Sequence, residues 1–158
     1  MKFKTIFSIF AIYVLTSCTQ QGAVIEDVTT GLFEKDGKAC LDKSCEVSAK
    51  IYFDYNEYSI EQISEETLNL QASWLDENPA KFVLIEGHCD ERGTREYNLA
   101  LGERRANATK NYLISMGISP DRVSTVTFGK ERPDVEGSYE DAWQLNRRSV
   151  TTLDVDRN

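Results

Sequence analysis

The sequence predicts an α+β sandwich, with elements in the order β-α-β-α-β-α-β and helices packed on one four-stranded mixed sheet. Three observations predict it. "KFVLIEGH" (81–88) is a continuous apolar run of strand length. Leu99, Ala106 and Leu113 repeat at helical spacing through a long segment without proline. Shorter strand-like runs, "SAKIYFDY", "RVSTVTFG" and "RSVTTLDV", alternate with helical stretches.

Order begins near Val47. "SAKIYFDY" reads as the first strand and ends in the turn-like "NEYS". Ser59 then opens a helix, with Gln62 as the partner of a capping box. Leu68, Ala72 and Leu75 give that helix a core face, and Asn78-Pro79 ends it. Ile63, Leu70 and Trp74 form a second stripe, expected to flank the core. "KFVLIEGH" has the character of a strand covered on both sides. A helix from roughly Glu96 to Met116 follows, with Gly102 on its core stripe permitting close approach to the sheet, and Gly117 ends it. "SYEDAWQLN" is a short helix between the third strand and the closing one.

The N-terminus carries Lys2 and Lys4 before an apolar run from Ile6 to Leu15. That run is shorter than the roughly 20 residues a bilayer requires, and it suits a secretory leader better than a core helix. "LTSC" directly after it resembles a bacterial lipobox, which implies cleavage before Cys18 and acylation of that cysteine. Thr19 is not the aspartate that retains such proteins at the inner membrane, so the outer membrane is expected. The chain therefore divides into a leader (1–17), a lipidated N-terminus with a flexible tether (18–47) and a folded domain (48–158). As a coil the tether would span about 30 Å. An oxidising compartment suits a disulfide between Cys40 and Cys45, leaving Cys89 as a small packed hydrophobe. The formal charge of −8 argues against a nucleic-acid partner.

"GHCDERGT" sets the chain's single histidine, His88, beside Cys89 and Asp90. This invites a thiol- or metal-dependent hydrolase, yet adjacent strand residues face opposite ways and no third group is marked. A metal would need more ligands than one histidine and no C-x-x-C can supply. No metal or cofactor is expected, and His88 reads as a structural histidine. Downstream, Asn98, Gly102 and Arg105 share a helix face, reached directly from the turn carrying Asp90 and Arg92. Asp90 and Arg105 across a small cleft suit a dipolar ligand, the carboxylate accepting from an ammonium and the guanidinium gripping a carboxylate. On spacing alone, a simple ion pair between the two is an equal reading.

"IEGHCDERGTREYNLALGERRANA", with "FGKERP" and "NRRSV" after it, resembles the OmpA-like C-terminal domain family over about Lys50 to Val155. The lipobox and short tether are similar to that family's lipid-anchored members. The resemblance implies an OmpA-like sandwich with no enzymatic activity. It further implies non-covalent binding of the peptidoglycan stem peptide through meso-diaminopimelate, tying outer membrane to cell wall in support of envelope integrity and division. By motif position, Asp90 and Arg105 are the principal contacts, while Arg92, Asn98 and Leu101 shape the pocket. Tyr55-Asn56 stands where the family has Phe-Asp, and one of Arg147 and Arg148 is expected to partner a site carboxylate. TolB and other Tol proteins are the implied protein partners. A motor-stator wall anchor is the alternative within the same family, and it would require a true membrane-spanning helix.

Overall fold

The computed structural model describes residues 25–27, 32–35, 38–45, 47–154 and 157. The leader, the lipobox and Cys18 lie outside the described residues. A four-stranded sheet holds strands in the order β4-β7-β5-β6, from β4 (Lys50–Tyr52), β5 (Val83–His88), β6 (Val123–Gly129) and β7 (Arg148–Leu153). β5 runs parallel to β6 and antiparallel to β7, which is antiparallel to β4, so the sheet is mixed as expected. The helices are α1 (Gln62–Glu77), α2 (Arg95–Ser115) and α3 (Glu140–Asn146).

The core lies between the sheet and the first two helices. Leu68 and Leu75 of α1, Ala106 and Leu113 of α2, and Val83 and Ile85 of β5 are all fully buried in one cluster. Glycines set how close α2 comes. A Cβ on Gly87 would lie 1.9 Å from the Gly102 carbonyl oxygen, and one on Gly102 would lie 2.4 Å from Thr127 Oγ1. The helix therefore touches the sheet backbone at the point where the chain leaves β5.

Four expectations change. α1 begins at Gln62, with Glu61 at its N-cap and no side-chain cap bond, so the Ser59–Gln62 capping box does not form. The preceding backbone is already committed, because the Asp54 and Glu57 carbonyls accept from Arg105 and Ile60 packs on the core. The second stripe of α1 splits. Trp74 packs against the core clusters, whereas Ile63 and Leu70 are 74% and 53% exposed. β5 is closed on one face only. Val83 and Ile85 are buried under the helices, whereas Leu84 and Glu86 are half-buried.

The fourth change concerns the stretch assigned to the tether. Its residues 25–40 contain a small antiparallel sheet, β1 (Ile25–Asp27), β2 (Leu32–Lys35) and β3 (Lys38–Cys40). Leu32 and Leu41 are buried with Val47, Ala49 and Val150, so this sheet is docked on the main domain. Cys40 and Cys45 are disulfide-bonded, and Cys40 bridges to Ser48 just before β4. Strands of three or four residues with few apolar positions give too little periodicity to read.

Candidate functional site

β5 ends at His88 with a register shift against β6, and this delivers the next residues into a loop. Thr94 then caps α2, its Oγ1 accepting from the Tyr97 N–H at 3.2 Å. Between strand end and helix start, Asp90 is 4% exposed and Arg105 is fully buried. Both line a small cavity of about 50 Å³ with Tyr55, Asn56, Cys89, Arg92, Gly93, Tyr97, Asn98 and Leu101. The structure thus brings together all seven residues singled out for ligand binding.

Their partners differ from either sequence reading. Asp90 and Arg105 do not form an ion pair with each other among the described contacts. Arg92 grips the Asp90 carboxylate through Nη2 at 2.6 Å and Nε at 3.2 Å, and its backbone N–H adds a third bond at 3.1 Å. Arg147 approaches the same carboxylate at 3.5 Å while its Nε donates to the Phe53 carbonyl. Arg147, rather than Arg148, is therefore the site carboxylate's partner. Burial opposes ionisation of Asp90, but these donors override it and hold the carboxyl below its ordinary value.

Arg105 is committed to the backbone. Its Nε donates to the Glu57 carbonyl at 2.8 Å, Nη1 to His88 at 2.9 Å and Nη2 to Asp54 at 3.0 Å. The described bonds use three of five guanidinium donors, and they clamp the loop carrying Tyr55, Asn56 and Tyr58 to the end of β5. Asn56 holds that loop's bend at φ 61°, with Oδ1 accepting from the Tyr97 hydroxyl. Asn98 pins the opposite wall, its Nδ2 donating to the Arg92 and Thr94 carbonyls.

Sequence reasoning read α3 as a helix but missed its place at the site. Trp143 stacks on the Arg92 guanidinium at 4.1 Å, opposite Tyr55 at 4.2 Å, so the arginine is held between two rings. Glu140 pairs with Arg147 at 3.1 Å and approaches Arg92 at 3.8 Å. The only available signal was an indole on a short polar helix, which spacing cannot connect to Arg92.

His88 and Cys89 do not form a dyad. The histidine ring packs on Phe128, and its Nε2 lies 3.2 Å from Glu86 Oε2. The Cys89 thiol donates to the Asn98 carbonyl at 3.3 Å, and burial pushes its pKa up to about 11, so it is not a thiolate nucleophile. Among the described residues no cluster of three or more His, Cys, Asp or Glu could hold a metal. A larger groove of about 520 Å³ runs beside β4, lined by Tyr52, Ile63 and Leu145 with Lys50, Asp54 and Glu61. It lacks a convergent buried pair of opposite charges, so the smaller cavity is the better site despite its size.

Comparison with known proteins agrees with this fold. An OmpA family model matches residues 52–147. A peptidoglycan-associated lipoprotein of Brucella melitensis is 46% identical over 112 residues, 71% of this chain and 67% of that one. Its namesake from Pasteurella multocida is 47% identical over 100 residues, 63% of this chain and 67% of the other. The crystal structure of the peptidoglycan-associated lipoprotein from Burkholderia pseudomallei is similar with TM-score 0.66 at 38% identity, covering 67% of this chain and 90% of that one. The C-terminal domain of Helicobacter pylori MotB shares the fold alone, with TM-score 0.61 at 19% identity over 66% of this chain and 84% of that one. The matched region runs from β4 past α3 and contains every residue of the cavity: the chain belongs to the OmpA family.

Proposed function

We propose that the domain binds peptidoglycan without chemical change, taking the dipolar end of a meso-diaminopimelate side chain between Asp90 and Arg105. The observation that carries this is one cavity lined by a buried carboxylate and a buried guanidinium. A ligand bearing both charges can engage both walls, whereas half of it engages only one. The kinship with proteins named for peptidoglycan association supports the same ligand class. At about 50 Å³ the cavity is small, against roughly 300–1,000 Å³ for ligand pockets. Entry therefore displaces Arg92 from Asp90, and the ligand ammonium takes the guanidinium's place.

Acylation at Cys18 would hold the chain in the outer membrane, with the domain facing the periplasm and gripping the wall. Many such weak attachments acting together would tie membrane to wall. TolB and other Tol proteins are the partners we assign to this role. Labelled palmitate should appear on the wild type and not on Cys18→Ala.

Retention of the purified domain on isolated sacculi tests the site. Asp90→Ala and Arg105→Ala should each weaken retention by about 2 kcal/mol or more, since each leaves one charge of the bound ligand without its partner inside the cavity. Arg105→Ala also releases three carbonyls, so circular dichroism must first show both variants folded. Full retention by folded variants refutes the assignment.

A further inference from the structure

The rim of the cavity carries more aromatic surface than a stem peptide would use. Tyr55 and Tyr97 line the cavity and are 61% and 48% exposed, and Tyr58 on the same loop is 46% exposed. Single exposed tyrosines are ordinary. Tyr55 and Tyr97 share one mouth, and their positions are fixed from beneath. Arg105 clamps the carbonyls of Asp54 and Glu57 on either side of Tyr55-Asn56. Arg92 lies over one face of the Tyr55 ring, leaving its exposed surface to solvent. The Tyr97 hydroxyl donates to Asn56, which joins the two rings along one wall.

We propose that Tyr55 and Tyr97 form a sugar subsite, on which an N-acetylated hexosamine of the glycan strand stacks while its attached peptide enters the cavity. The inference rests on the reading of Asp90 and Arg105 as the stem-peptide pocket. Pyranose rings present C–H-rich faces that pack on aromatic planes, and their hydroxyl and acetamido groups need polar neighbours at the edge. The rim supplies both, since Asn56, which accepts from the Tyr97 hydroxyl, is exposed, and exposed Glu91 accepts from Trp143, the other ring on Arg92. Rings already held in place lose little freedom on binding, which favours a platform over a flexible tyrosine loop.

Isothermal titration of the purified domain tests this with two probes, a free tripeptide ending in meso-diaminopimelate and the same tripeptide on its N-acetylglucosaminyl-N-acetylmuramyl disaccharide. The disaccharide should tighten wild-type binding by about tenfold, the scale of one or two aromatic contacts. In Tyr55→Ala and Tyr97→Ala the ratio between the two probes should fall towards one, whereas Tyr97→Phe, which keeps the ring, should preserve it. Equal binding of both probes to wild type overturns the subsite and leaves the peptide pocket standing. A disaccharide gain that survives in both alanine variants also overturns it. Binding of neither probe removes the pocket reading, and the rim with it.

Discussion

Asp90 and His88 titrate against their surroundings, and both shifts have the same consequence for stability. Burial lowers the His88 pKa from 6.5, and the Arg148 charge adds to this while the Glu86 hydrogen bond opposes it. Asp90 also sits below its ordinary 3.8, against burial, because Arg92 and Arg147 hold its charged form. In each case the folded state binds the proton more weakly than the unfolded chain. The stabilisation is therefore complete above the unfolded pKa and is lost as pH falls through the folded value. Thermal midpoints measured from pH 8 downwards should decline in two stages, the first below about 6.5 and the second below about 4. His88→Gln should remove the first stage, and Asp90→Asn should give a less stable but flatter second stage. A single acid transition unchanged in both variants would contradict these assignments. At this scale the sequence marked side chains that the structure gathers around one cavity, and could not assign their partners. Asp90, Arg92 and Arg105 were all legible from "DERG" and "GERRA". That Arg105 would grip three carbonyls, and that Arg147 would reach back to Asp90, depends on loop paths that no local pattern encodes.

Elements were legible where their periodicity was long. α2 and β5 were placed correctly because a sustained stripe and an unbroken apolar run each mark an element, although the run overstated the cover on the second face of β5. The glycine on α2 was read for close approach, and the structure supplies its mate, Gly87. Gly87→Ala would drive a Cβ into the Gly102 carbonyl, backbone that cannot swing away. We expect a loss of about 3 kcal/mol, at the upper end of overpacking costs, measurable by urea unfolding. A loss below about 1 kcal/mol would mean the α2–sheet contact is looser than the structure shows. The β1–β3 sheet was illegible for the opposite reason, since its strands are short and its order depends on docking Leu32 and Leu41 beside Val150. Reduction of the Cys40–Cys45 disulfide should loosen this part first. Hydrogen exchange should speed up in Lys38–Cys40 while amides of β5 keep their protection. Equal loss in both places would show that the small sheet and the main domain unfold as one unit.

Over the whole molecule, charge and recognition act at different ranges. The chain carries a formal −8, and a wall whose stem peptides bear carboxylates repels it at a distance. The proposed recognition pair is buried, where salt screens little, with Asp90 4% exposed and Arg105 wholly inside. Raising ionic strength from 0.01 to 0.1 M shortens the screening length from about 30 to about 10 Å, weakening the repulsion and sparing the pocket. Retention on sacculi should therefore rise over that range and then level off. Asp90→Ala should stay weakly retained at every salt concentration, because screening cannot restore a missing contact. A steady fall of wild-type retention with salt would instead mean that exposed cations such as Arg95 and Arg104 hold the wall, and that the buried pair does not.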